Sequence, residues 1–146
     1  MRRLVPLLVV VLCALPGTAA ARRHDTLITV VSPSAKSTVF AHPFVNVEVK
    51  FEQPTTCVGT VNLRSFHARV GRTDVTPLFE DETVNGQVVG ARARVGVTLL
   101  RVGRMNRLRF TVKTKSCREP TGHSRVVSDR ARVRFMVDSQ DDQPAS

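Results

Sequence analysis

Near the end of the chain Arg130, Arg132 and Arg134 occupy every second position, alternating with Ala131, Val133 and Phe135. Guanidinium groups grip carboxylates and phosphates through paired N–H donors, so such a row is a candidate site for an anionic ligand. The same period of two describes a strand with one wet and one dry face, a reading that requires no ligand. Other reactive side chains offer less. The four histidines, His24, His42, His67 and His123, are scattered and read as ordinary exposed residues, not a metal set. Glu80, Asp81 and Glu82 carry oxygen ligands suited to calcium but lack the D-x-[DN]-x-[DN]-G spacing, so they read as a solvated loop. No G-x-S-x-G elbow, H-E-x-x-H, phosphate-cradling glycine loop or C-x-x-C is present. The chain is therefore read as non-enzymatic, with no catalytic residue, no cofactor and no metal.

The compartment follows from the opening MRRLVPLLVVVLCALPGTAA. Arg2 and Arg3 precede an apolar run from Leu4 to Leu15 and then small residues, the layout of a secretory signal peptide. Residues 1–21 are expected to be removed, taking Cys13 with them, which predicts a periplasmic or secreted protein without a transmembrane segment. Two cysteines remain, Cys57 and Cys117, and an even pair in an exported chain is most simply a disulfide. Closing a loop of this length stabilises a fold by about 4 kcal/mol in the chain-entropy account.

Charge gives a direction but no ligand. The full chain carries 22 basic and 12 acidic side chains, a formal +10. Such a balance attracts nucleic acid, anionic polysaccharide or a membrane surface. Arginine supplies most of it, and a GC-rich genome produces the same bias without any ligand. The absence of Trp and Tyr disfavours sugar or single-stranded nucleic-acid sites built on ring stacking.

Hydrophobic alternation places these residues on strands. After a short polar lead-in, residues 22–26, the run LITVVSPSAKSTVF reads as an edge strand that changes partner at Ser32 and Pro33. PFVNVEVKF turns Val45, Val47, Val49 and Phe51 to one side. In TVNLRSFHARV the parity slips between Leu63 and Phe66, which predicts a bulge. GRTD is a turn, EDETVNGQ an acidic loop with a favoured Asn85-Gly86 pair, and KSCREPTGHS a further loop. GARARVGVTLL turns Ala91, Ala93, Val95 and Val97 inward, while RLRFTVKT turns Leu108, Phe110 and Val112 inward and Arg107, Arg109 and Lys113 outward. SDRARVRFMV is the last strand, and DSQDDQPAS has nothing to bury and reads as a disordered acidic tail over residues 139–146. About seven short strands and no comparable helical spacing predict an all-β, antiparallel sandwich in one domain, residues 27–138.

The runs ITVVSPSAK, VNVEVKF, VGRTDVTPLF, LLRVGRMNRLRFTV and SDRARVRFMV together resemble the immunoglobulin-like domains of exported bacterial proteins. In those domains a turn with glycine and asparagine leads into a central strand, and Gly103 and Asn106 stand at those places. The core tryptophan and tyrosine corner of antibody domains are missing, and neither cysteine is expected within a strand. The resemblance implies that the loops carrying Cys57 and Cys117 leave the sandwich at one end, so their bond would staple two loop tips. It also sets Arg107, Arg109 and Lys113 beside Arg130, Arg132 and Arg134 as a basic grid, about 4.8 Å across strands and about 6.8 Å along them.

The implied function is an exported binding or structural module of the bacterial cell envelope. Its contact surfaces would be the stapled loop end and the arginine face, and its partner another envelope or secreted protein. The alternative is a polyanion-binding protein that holds acidic polysaccharide or nucleic acid on that face. Buffer ions or the chain's own DSQDD tail would screen the same charges.

Overall fold

The computed structural model describes residues 25–40 and 43–138. The expected signal peptide with Cys13, the histidines His24 and His42, and the tail after Asp138 lie outside the described residues. Ten strands appear among those described: β1 (Ile28–Ser32), β2 (Thr38–Phe40), β3 (Phe44–Phe51), β4 (Val58–Val70), β5 (Thr73–Asp74), β6 (Phe79–Val84), β7 (Gln87–Gly96), β8 (Met105–Arg118), β9 (Ser124–Arg125) and β10 (Ser128–Asp138). β1, β3, β4, β7, β8 and β10 correspond to expected strands and β2 to the far half of the first one; β5, β6 and β9 fall where turns or loops were expected.

The strands form two sheets, ordered β1-β3-β7-β6 and β2-β10-β8-β4-β5, with β9 paired to β8. In immunoglobulin letters these orders read A-B-E-D and A′-G-F-C-C′, so the chain is an all-β, immunoglobulin-like sandwich. The first strand changes partner as expected. β1 pairs antiparallel with β3, the chain crosses at a cis Ser32–Pro33 bond, and β2 pairs parallel with β10 in the other sheet.

Alternation builds the core. Val45, Val47 and Val49 of β3 face Leu108, Phe110 and Val112 of β8 and Val133, Phe135 and Val137 of β10, all buried. Against this core the half-buried Phe51 and Phe79 of one sheet meet the buried Phe66 and Phe110 of the other, with ring centroids 5.3–6.3 Å apart. The parity slip in β4 is a bulge, with register shifting between Asn62 and His67. Ser65 closes it: its hydroxyl donates to the Asn62 carbonyl at 2.6 Å and accepts the Lys113 N–H at 2.8 Å.

Three expectations are corrected. Glu80, Asp81 and Glu82 lie on edge strand β6, not in a loop, and only Asn85 and Gly86, both at positive φ, form the turn to β7. Asp81 shares the parity of Phe79 and pairs with the buried Ala91 yet is charged and exposed, so the apolar–polar alternation fails, which hid the strand. Cys117 lies within β8, which runs on to Arg118. There Thr114 and Cys117 are both buried, so inward parity breaks at a register shift and the sequence reads as a loop. Val97 opens a 3-10 turn, Val97–Leu99, instead of continuing β7.

Candidate functional site: an arginine face on one sheet

Register decides what the outward arginines meet. Across β10, β8 and β4, Arg132 stands opposite Arg109 and Arg109 opposite Arg69. One row along, Arg134 faces Arg107; one row the other way, Arg130 faces Thr111, which faces His67. The arginines and His67 are all exposed. Between the rows lies an open groove of about 410 Å³, lined by His67, Arg69, Arg109, Thr111, Arg130 and Arg132. The Arg109 guanidinium also donates to the Gly71 carbonyl, which fixes its direction along the sheet edge.

Lys113 is corrected out of this cluster. It shares the outer face but stands opposite Ser128 and Asn62. Antiparallel pairing carries the far end of β8 past the arginines of β10, so equal parity did not mean adjacency. Arg69 and His67 were missed as members of the grid; their outward parity in SFHARV was the available signal.

The opposite sheet shows a different arrangement of the same residue type. There Arg92 of β7 stands between Glu48 of β3 and Glu80 of β6. Its neighbour Arg94 lies over the Phe44 ring at 4.8 Å, a cation–π arrangement. On the arginine face the flanking acid is Asp74, opposite Arg69 at the sheet edge. Its carboxyl is lowered mainly by the Thr76 hydroxyl and N–H, with Arg69 and His67 adding smaller attractions. Like charges directly opposite one another cost stability, and a bound anion removes that cost.

The cysteines form the expected disulfide, Cα–Cα 5.3 Å. Cys57 immediately precedes β4 and both residues are buried, so the bond closes the end of one sheet beneath the surface and does not join exposed loop tips. Asp25, assigned to a polar lead-in by its sequence, is buried beside it. Its carboxylate accepts the N–H and hydroxyl groups of Thr55 and Thr56. Burial raises the Asp25 carboxyl, but these donors outweigh it and hold the group down to about 2. Arg125 completes the cluster, donating to Thr56 Oγ1 at 2.9 Å and pairing with Glu119 at 2.7 Å. The two ion pairs between described residues both belong to Arg125, and neither touches the arginine face.

Among the described residues no group of three His, Cys, Asp or Glu is placed to hold a metal ion. None of their helices is long and apolar enough to cross a membrane. No family model and no curated protein matches the chain. Among solved structures, murine CRIg is similar at a TM-score of 0.39 and 11% identity, covering 75% of this chain and 97% of that one.

Proposed function

We propose that this protein is an exported, non-enzymatic immunoglobulin-like binding module of the bacterial cell envelope, and that it holds an anionic partner on the outer face of β10, β8 and β4. The N-terminal layout supports export, as does the buried disulfide, a bond that persists in oxidising compartments. The row Arg69–Arg109–Arg132 carries the choice of an anionic partner. An arginine-rich composition alone scatters the residue over both faces without regard to neighbours. Here one sheet sets Arg92 between two acids, and the other sets three arginines side by side around a groove. The guanidinium fork suits carboxylate, sulfate and phosphate, so an acidic polysaccharide or a nucleic-acid backbone fits the face.

A heparin column developed with a salt gradient tests the reading. The protein should elute late, and the Arg109→Ser, Arg130→Ser, Arg132→Ser triple variant much earlier, because each lost contact reduces counterion release. Early elution of the unaltered protein, or no change in the triple variant, rejects the anionic partner. N-terminal sequencing of protein recovered from the envelope or medium tests export: a chain that still begins at Met1 rejects it.

A further inference from the structure

We infer that the end of this face is a membrane-docking surface, where Phe40, Val102, Met105 and Met136 enter the headgroup layer of an anionic bilayer while the neighbouring arginines bind its phosphates. The inference rests on the anion-binding reading for its electrostatic attraction and adds to it an apolar component that no soluble polymer requires.

The register assembles the patch. Met136 of β10 stands opposite Met105 of β8 on one side and Thr38 of β2 on the other, and Phe40 lies opposite Asp138. Val102, in the turn before β8, bridges to the buried Val137, so it lies at the end of the strands beside the patch and not in its outer row. These side chains are exposed although apolar: Phe40 by 67%, Met105 by 49%, Val102 by 48% and Met136 by 37%. Arg134 and Arg107 form the next row along the same strands. Arg101 and Arg104 alternate with Val102 and Met105 in the turn itself, where Gly103 adopts φ 68°. Among the described residues Asp138 is the acid that the register places in the patch, and Arg134 and Arg107 are the arginines of the adjoining row.

Mixed chemistry at one depth selects the occupant. A protein interface concentrates apolar groups at its centre and depletes charge there. Here an arginine row, Arg134 and Arg107, stands directly beside the apolar row of Met136 and Met105, and Arg101 and Arg104 flank Val102 and Gly103 in the turn. That is the arrangement for a bilayer interface, in which apolar groups sink to the acyl boundary and cations stay with the phosphates. The methionines are unbranched and adaptable, which suits a disordered lipid surface.

The test uses the exported form isolated from its host, so that the N-terminal apolar run does not itself bind lipid. It should co-sediment with vesicles of equal parts phosphatidylglycerol and phosphatidylcholine, and not with phosphatidylcholine alone. Arg107→Ser and Arg134→Ser should each weaken vesicle binding about fivefold and advance elution from heparin. The Phe40→Ser, Met105→Ser, Met136→Ser triple variant should weaken vesicle binding about tenfold and leave heparin elution unchanged. If the apolar variant binds vesicles as well as the unaltered protein does, the membrane inference fails while the anion-binding face stands. If the arginine variants are also without effect in both assays, both readings fail. A Phe40→Trp variant reports independently of affinity: its emission should move to shorter wavelength on anionic vesicles, and no movement overturns the docking geometry.

Discussion

Arg132 stands directly opposite Arg109 across β10 and β8, with Arg69 directly beyond on β4. Three like charges in one row across an exposed sheet are a cost that folding alone does not explain, because packing on the inner face is set by Ala131, Val133, Phe110 and Leu108 and is indifferent to what stands outside. Under the proposed function, an anion bound along the row relieves this repulsion.

The first prediction follows from that repulsion. Arg132→Ser should raise stability by about 0.5 kcal/mol at low ionic strength, and the gain should vanish in high salt as screening removes the repulsion. Urea unfolding at two salt concentrations measures it. A gain that persists in high salt would point to strand propensity and not to charge.

The buried disulfide gives the second. Replacing Cys57 and Cys117 by Ser should cost about 4 kcal/mol, the loop-closure value for their separation of 60 residues. Both cysteines are enclosed at the end of one sheet, so the folded protein should resist reductant and gain the mass of two protons only once urea has unfolded it. Ready reduction of the folded protein contradicts the burial.

Asp25 sets the third. Its folded carboxyl lies at about 2, below the ordinary aspartate value of 3.8, so the unfolded state binds the proton more readily. The stability it contributes is therefore complete above 3.8 and is lost as pH falls through that value towards about 2. Asp25→Ala should cost about 2 kcal/mol at neutral pH, since the N–H groups of Thr55 and Thr56 lose a charged acceptor. Asp25→Asn should flatten the acid limb of a stability–pH curve over that window; an unchanged slope removes Asp25 from the account.

Period and turn chemistry made most of the sandwich legible, and register made the rest illegible. Val45, Val47 and Val49 declared β3, Ser32-Pro33 declared the sheet change, and Asn85-Gly86 declared a tight turn. Each is a signal between near neighbours in the chain. Parity says which face a side chain takes but not what stands across from it. So Lys113 was placed with the arginines it does not meet, and Arg69 was left out of the row it completes. The apolar patch was hidden for the same reason, since Phe40, Met105 and Met136 become neighbours only when β2, β10 and β8 are aligned. Where a charged residue takes an inward-parity position, as Asp81 does in β6, or where a bulge breaks parity, as before Cys117, even the strand itself lacked a sequence signature.

Asn106 gives the fourth prediction and ties the resemblance in the turn to the docking surface. Its buried amide accepts the Arg101 N–H at 2.8 Å and donates to the carbonyls of Arg101 and Arg104 at 2.9 and 3.0 Å, so one side chain pins the turn that presents Val102 and Met105. Asn106→Ala should cost about 2 kcal/mol, because buried backbone groups lose their partner. Gly103→Ala should cost about 1 kcal/mol through its left-handed backbone alone, since a Cβ there meets nothing within 4 Å. The two changes loosen one turn, so their costs should sum to more than the double variant shows. Hydrogen exchange at the Arg101 amide should accelerate in Asn106→Ala while exchange at Phe110, deep in β8, follows global stability only. Equal acceleration at both positions would mean that Asn106 supports the whole sheet and not the turn.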